Sequence, residues 1–469
     1  MRHYKKYGLA GAILLLASTT AAWAQVPPQV QTLQPQDLFQ DIVGGNGPGP
    51  EVFASVALLS GAFGQGSQLE NFLIGGDAGQ NLWQRASTGS SVTTTVTYGG
   101  PDRWAYWSGT NTAMTVSRSN TAAALPTGSQ YAFRMQRTAS QTGVVQMCMV
   151  QEIATTNAQY LAGHTALLDF NVYTGANFSA TALNAYIITG TGTDEGVAGT
   201  SSLAYGLNAG GGGSGSWTGQ ANATAGAYSS LAVSTAYRVA AVANIPTTAT
   251  EVAVALCYTP TTTSAGTTDA LYFQNIELRK ADWLSQFANA TTAYTVTTNA
   301  MNPSTAQITA SINGITQNAI IPAFSRRNSS VEAYLQYAYY YQWNDNTTAG
   351  LPIGPAGYYN STTACQINFP LPAPLFKAPT IVNSAITAST FTVAQSGGTP
   401  AAGAALAGSG NSGLILTVGS NTNAVTTVPN ANFNYVSLSF ITAAKTQYAA
   451  CQLLSTNVST AAFGVSSEL

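Results

Sequence analysis

The chain has 469 residues, of which only 7% are charged, with 15 Lys+Arg against 17 Asp+Glu and a formal net charge of −2. No basic cluster occurs, which argues against nucleic-acid binding, and the scarcity of charge is foreign to the usual disordered segment. Gly, Ser, Thr, Ala and Asn dominate and Tyr leads the aromatics with 23 residues, a composition that points to β-structure with hydroxyl-rich faces and many turns.

Residues 1–24 read as a secretory signal peptide. Arg2, Lys5 and Lys6 precede a short apolar core from Leu9 to Ala17, and Ala22-Trp-Ala24 is a small-x-small cleavage site. The expected product is exported, starts at Gln25, and carries 12 Lys+Arg against 17 Asp+Glu, a net of −5. No later stretch approaches the roughly 18 apolar residues of a spanning helix, so no membrane span is expected once the signal is cleaved. Residues 25–69 form a Gln-, Pro- and Gly-rich leader, with a short helix expected from Pro35 to Val43 and a second apolar piece from Val52 to Leu59. Its expected role is attachment or oligomerisation.

Two strings follow: Asn81-Leu-Trp-Gln-Arg85 and Pro101-Asp-Arg-Trp104, separated by the β-branched run Val92–Tyr98. In so uncharged a chain, Trp83, Arg85, Asp102, Arg103 and Trp104 form a distinct group. Arginine stacks on rings and forks onto carboxylates, so the group reads first as a structural clamp on the opening strands, and second as a sugar or partner site.

Residues 70–283 read as one all-β domain. Strands are expected at Val92–Tyr98, Tyr131–Thr138, Val144–Val150, Ala166–Tyr173, Leu183–Ile188, Tyr237–Ala243, Val252–Tyr258 and Ala270–Arg279. About eight strands at this spacing suggest a jelly roll or related sandwich. Trp107, Tyr205 and Trp217 fall near expected loops and are the candidate ligand-stacking residues, with core packing as the competing reading. The Gly210–Ser216 run reads as a flexible connector.

Residues 284–328 are a connector with a strand near Gln307–Ile312. The third segment, 329–469, starts with a helix and continues as a second β-sandwich-like domain. Ser329-Ser-Val-Glu332 has the form of a capping box, with Ser329 as N-cap, and Val331, Tyr334, Leu335 and Ala338 repeat at helical spacing as the expected buried stripe. Pro370, Pro372 and Pro374 predict an edge or irregular strand. Further strands are expected at Phe391–Ala394, Leu414–Val418, Tyr435–Ile441 and Ala449–Leu454, around a low-complexity loop from Gly397 to Gly413.

Four cysteines, Cys148, Cys257, Cys365 and Cys451, suit disulfides in an exported chain, and allow three connectivities. Cys148–Cys257 with Cys365–Cys451 is favoured, because each bond then stays within one domain; buried free thiols are the alternative. The spacings match no zinc pattern. Catalytic chemistry is sparse. The expected mature chain has a single histidine, His164, no G-x-S-x-G element, adjacent Asp194-Glu195 in a Gly/Thr loop, and an Asp102–Glu277 pairing conceivable only if the first and last strands are neighbours. No catalytic residue, metal site or cofactor is expected.

The order of these strings resembles the virion and tail-fibre proteins of bacteriophages that open with a carbohydrate-binding-module-like jelly roll. The W-Q-R and D-R-W strings start the match; Leu271-Tyr-Phe-Gln-Asn-Ile-Glu-Leu278 looks like the last strand of that domain. Arg326 to Tyr341 is similar to the family's helix, Phe369-Pro-Leu-Pro-Ala-Pro-Leu-Phe-Lys-Ala-Pro379 to the strand after it, and Ser466-Ser-Glu-Leu469 to its acidic-Leu ending. The match covers about residues 70–469. It departs where Gln336-Tyr-Ala338 replaces Cys-Gln-Arg and where Leu375-Phe-Lys377 replaces Met-Arg. The resemblance implies a non-enzymatic structural and binding protein that contacts cell-surface polysaccharide, works as a homo-oligomer (a trimer by analogy), and resides in a virion. The signal peptide favours an alternative, a bacterial secreted or surface adhesin or matrix protein of prophage origin. A polysaccharide-degrading enzyme is a third reading.

Overall fold

The computed structural model describes residues 71–467, apart from segments 79–83, 197–216, 296–305, 345–353, 383–390, 396–403, 406–413, 420–432, 442–446 and 456–461 and a number of shorter breaks. Contacts group residues 68–469 into one compact unit. Everything described belongs to that unit. The expected signal and leader, Trp83, Tyr205 and the Gly210–Ser216 run lie outside the described residues.

The protein is all-β. The first part is a two-sheet sandwich of β1 (Ser90–Ser91), β2 (Thr97–Tyr98), β3 (Ala105–Ser108), β4 (Met114–Ser119), β5 (Ala132–Arg137), β6 (Met147–Ile153), β7 (Thr165–Thr174), β8 (Ala182–Gly190), β9 (Ala221–Ser229), β10 (Ala236–Asn244), β11 (Glu251–Tyr258), β12 (Ala270–Lys280) and β13 (Thr291–Thr295). The sheets run β1-β4-β5-β12-β7-β10-β13 and β2-β3-β6-β11-β8-β9. From β5 to β12 the chain keeps crossing between the sheets, the winding of a jelly roll. A single helical turn, α1 (Thr155–Ala158), follows β6.

Period-2 alternation explains the faces. In β7, Leu168, Phe170 and Val172 enter the core between the sheets, where they meet Val239 and Ala241 of β10, Leu271 and Phe273 of β12 and Val252, Val254 and Leu256 of β11. The run Val92–Tyr98, expected as one strand, instead hands the chain from one sheet to the other. Ser91 pairs with Thr115 of β4, and Thr97 pairs with Tyr106 of β3. Strands β3, β4, β9 and β13 lack a clear apolar alternation, and their positions depend on neighbours distant in sequence.

The opposite face of β7 is polar yet buried. The hairpin β14 (Ala306–Ile312)–β15 (Ile315–Ile321) and a 3-10 turn, Asp282–Phe287, cover it through Leu284, Phe287, Ile308 and Ile321. Beneath them Arg238 forks onto Asp169, Arg279 lies 2.9 Å from Glu277, and both guanidinium groups reach the Pro322 carbonyl. Glu277 therefore belongs to this cluster and does not meet Asp102.

The second β-region comprises α2 (Ser329–Tyr337), β16 (Tyr340–Asn344), β17 (Gly357–Tyr359), β18 (Ala364–Leu375), β19 (Thr380–Val382), β20 (Phe391–Gln395), β21 (Ala404–Ala405), β22 (Leu414–Gly419), β23 (Phe433–Ile441), β24 (Ala450–Ser455) and β25 (Ala462–Ser466). One sheet runs β21-β20-β24-β17-β18-β23-β22 and another β16-β25-β19. The prolines fall in the second half of β18, beyond its short pairing with β17, where only β23 is a ladder partner, as expected of an edge or irregular strand. Its ladder breaks register between Pro370 and Leu375, as the missing N–H groups require.

The helix departs from expectation. Its N-cap is Asn328, whose side chain accepts from the Ser330 N–H at 2.9 Å. Glu332 turns away from a capping box to accept from the Gly75 N–H and from Arg327. Glu332 and Gln336 are the residues that α2 buries, whereas Val331 and Tyr334 of the expected stripe are 51% and 50% exposed. The reason is the partner surface: α2 faces the polar backbone at Leu73–Gly75, and Arg327 also donates to the Leu73 carbonyl at 2.8 Å.

Both favoured disulfides are present, Cys148–Cys257 and Cys365–Cys451, with no free cysteine. Among the described residues no helix is long and apolar enough to cross a membrane.

Candidate functional site

The conspicuous arginines and Asp102 are drawn into the junction between the two β-regions. Asp102 is 1% exposed, and its carboxylate accepts from the Gln84 N–H at 2.9 Å, the Gln84 side chain at 3.2 Å and the Arg85 N–H at 3.4 Å. Gln84 in turn donates to the Tyr340 carbonyl at 3.0 Å and accepts from the Gln342 N–H at 3.2 Å. The Arg85 guanidinium lies over Tyr340 at 3.9 Å and over Tyr98 at 5.0 Å, and it reaches Ser466 of β25. Arg103 lies over Tyr339 at 3.7 Å and donates to the Glu152 carbonyl at 2.7 Å. Its φ of 69° is left-handed, a conformation that costs a side-chain-bearing residue about 1–2 kcal/mol and that the two contacts offset. Trp104 is separate: it packs in the sandwich core near Phe133 and donates to the Gly75 carbonyl. Burial, then the charge of Asp102, raise the Tyr106 hydroxyl well above its ordinary pKa.

The outer face of the six-stranded sheet has a different character. Register places Trp107, Cys148, Cys257 and Asn184 in one row across β3, β6, β11 and β8, and Tyr98, Ala105, Val150, Ala255 and Tyr186 in the next. Small residues and the disulfide fill the central strands and are fully buried. Tyr98, Trp107 and Tyr186 stand half-buried around them, and Trp217 packs into the same cluster at 4% exposure. Trp107 is thus a strand residue, anchored by its Nε1–H to the Thr94 carbonyl at 2.9 Å, and Trp217 is nearly enclosed. Tyr98 and Tyr186 were not singled out by sequence. For Tyr186 the signal existed: Leu183, Ala185 and Ile187 point inward, so alternation sends Asn184, Tyr186 and Ile188 outward.

Carboxylates gather at one end of this face. Glu152 accepts from the Tyr98 hydroxyl at 2.5 Å. Glu251, at the start of β11, accepts from the Glu195 N–H at 2.6 Å, and Glu195 accepts from the Thr218 N–H and hydroxyl at 2.6 and 2.7 Å. Burial, and then the charges of Glu195 and Asp194, raise Glu251 to a pKa of about 7 against the opposing Glu195 N–H; the bonds from Thr218 lower Glu195. Asp194 accepts from the Thr155 N–H of α1. His164 is elsewhere, 2.9 Å from Asp282, with both side chains 41% exposed. Among the described residues, no three His, Cys, Asp or Glu side chains are grouped to hold a metal ion.

No family model and no curated protein matches the chain. Among solved structures it is similar to a carbohydrate-binding module of the β-sandwich superfamily, with 10% identity and a TM-score of 0.25 over 38% of this chain. The chain spans 58% of that module's length. It is also similar to the C-terminal family 22 carbohydrate-binding module of Clostridium thermocellum Xyn10B, with 11% identity, a TM-score of 0.24, 42% of this chain and 98% of that one. A third likeness is to the enzymatically active domain of tailspike protein 4 of bacteriophage CBA120, with 14% identity, a TM-score of 0.24, 45% of this chain and 21% of that one.

Proposed function

We propose that the chain is a non-enzymatic structural and binding protein, resembling a phage tail fibre, that holds glycans weakly on the outer face of its six-stranded sheet. The observation that carries this reading is the set of half-buried rings, Tyr98, Trp107 and Tyr186, standing on one sheet face, with Asn184 on the same strand as Tyr186. Ring faces pack against the C–H faces of sugars, and neighbouring amides supply hydrogen bonds. Single-site affinity of this kind is low, and a homo-oligomer raises it through avidity.

The test is binding of the purified protein to glycan arrays and intact cells, with its mass in solution measured in parallel. Trp107→Ala and Tyr186→Ala each lower affinity about 10-fold, the equivalent of 1.4 kcal/mol, while circular dichroism shows the fold retained. Unchanged binding by both folded variants overturns the assignment of the face. A second reading is a bacterial surface adhesin or matrix protein, favoured by the signal-like residues 1–24; amino-terminal sequencing of exported protein, expected to start at Gln25, distinguishes it from a virion component.

A further inference from the structure

We propose that Glu251 is a pH-sensitive latch which holds loop 192–196 against the Trp217 segment at the end of the six-stranded sheet, and which opens when its carboxyl ionises. This device is independent of what the face binds.

The geometry is a chain of carboxyl contacts with no cation in it among the described residues. Glu251 is 2% exposed. Its Oε1 accepts from the Glu195 N–H, while its Oε2 is buried without a hydrogen-bond partner. That oxygen points at Gly190 beside the indole of Trp217: a Cβ built on Gly190 would lie 3.0 Å from Oε2 and 3.1 Å from the ring. The start of the loop is tied to the Trp217 segment without Glu251, because the Thr191 N–H and hydroxyl donate to the Thr218 carbonyl at 2.8 and 3.3 Å, so the latch acts on residues 192–196. Thr250 donates to the Gly192 carbonyl at 2.5 Å, Asp194 is tied to Thr155, and Glu195 grips Thr218, the residue after Trp217.

The groups around Glu251 cannot neutralise it. The loop contributes the like charges of Asp194 and Glu195. Among the described residues the other contributors are Gly190 from β8, Trp217 and Thr218 from the following segment, and Thr155 of α1 through Asp194, none of them cationic; Glu152 on the neighbouring strand β6 is a further carboxylate, and the Arg103 guanidinium is on its carbonyl. A neutral Glu251 carboxyl fits this site and shares a side-chain hydrogen bond with Glu195, whereas an ionised one loses that bond, is unpaired on Oε2 and is repelled by Glu195 and Asp194. Because its pKa is raised in the fold, to about 7, the stabilisation is complete below the ordinary carboxylate value of 4.5 and is lost as pH rises through 7. The ionised side chain moves toward water, the Glu195 N–H loses its acceptor, and the Thr218 grip loosens with it.

The experiment is amide hydrogen exchange of the full chain at pH 6 and pH 8, corrected for intrinsic rates, on peptides spanning 192–196 and 217–219. In the wild type, protection falls by up to about 10-fold between the two pH values, the full effect of one group titrating near 7. In Glu251→Gln, which keeps a neutral acceptor for Glu195, protection is the same at both. Equal protection in the wild type at pH 6 and 8, or the same pH-dependent fall in Glu251→Gln, overturns the latch. Should the variant fail to fold, titration of ¹³C-labelled glutamate carboxyls in the wild type decides: a carboxyl with its midpoint near 7 supports the proposal, and all midpoints below 5.5 overturn it. Loss of glycan binding by Trp107→Ala has no bearing on either readout.

Discussion

Asp102→Asn lowers the stability of the protein by roughly 2–4 kcal/mol, from the cost of leaving buried donors without acceptors. The carboxylate offers its oxygens to the backbone of Gln84 and Arg85 and to the Gln84 side chain. An asparagine turns an NH2 group toward at least one of these donors, and at 1% exposure water has little access to replace the lost acceptor. The damage spreads, because Gln84 carries the load to Tyr340 and Gln342 of β16. The melting temperature therefore drops by about 5–10 °C, and the second β-region unfolds in a separate, earlier step. Scanning calorimetry of the two proteins checks both points. The same variant addresses the polysaccharide-degrading reading. A catalytic acid lost at Asp102 removes reducing-end release and leaves the melting curve alone, the opposite of what a buried acceptor predicts.

The way these residues can be read in the sequence follows from their scarcity. In a chain with 7% charged residues, Arg85, Asp102 and Arg103 are conspicuous, and rings and carboxylates are the partners that guanidinium groups take. Their partners were not legible. Tyr339 and Tyr340 lie more than 230 residues further on, in a run of tyrosines where α2 passes into β16, and only the fold sets them over the two arginines. The same physics explains the helix. Spacing alone puts Val331 and Tyr334 inward, but the surface that α2 meets is the backbone of Leu73–Gly75, which requires acceptors and donors, so Glu332 and Gln336 are turned in. Strands with apolar alternation, such as Leu168–Phe170–Val172, were legible because burial of one face fixes their register. Strand β9, Ala221–Ser229, was not, since Ala, Gly, Ser and Thr give no alternation and its place is set by pairing with β8. The aromatic face is the clearest case of assembly: Tyr98, Trp107, Tyr186 and Trp217 span about 120 positions, with register uniting the first three and packing bringing Trp217 onto them.

Removing the disulfides produces the largest expected loss. Cys148–Cys257 closes 109 residues and Cys365–Cys451 closes 86. By chain-entropy arguments each restricts the unfolded state by roughly 4–5 kcal/mol, with measured values for such bonds of about 2–5. Their surroundings differ. Cys148 and Cys257 are register partners on adjacent strands β6 and β11, embedded in a continuous ladder. Cys365 and Cys451 lie on β18 and β24, which do not pair with each other; the three-residue strand β17 stands between them, its Tyr359 opposite Cys365 and its Gly357 opposite Cys451. The Cys148→Ser, Cys257→Ser variant thus loses about 3–5 kcal/mol overall but keeps native strand pairing. The Cys365→Ser, Cys451→Ser variant loses a similar amount and in addition frees β17, so amide protection at 357–359 and 448–451 collapses under native conditions. Denaturant unfolding with hydrogen exchange separates the two outcomes. A thiol titration comes first: the unfolded, unreduced protein exposes no free thiol and the reduced protein four. Four free thiols in unreduced protein recovered from its native compartment would remove both disulfides, and with them the oxidising environment that the exported reading requires.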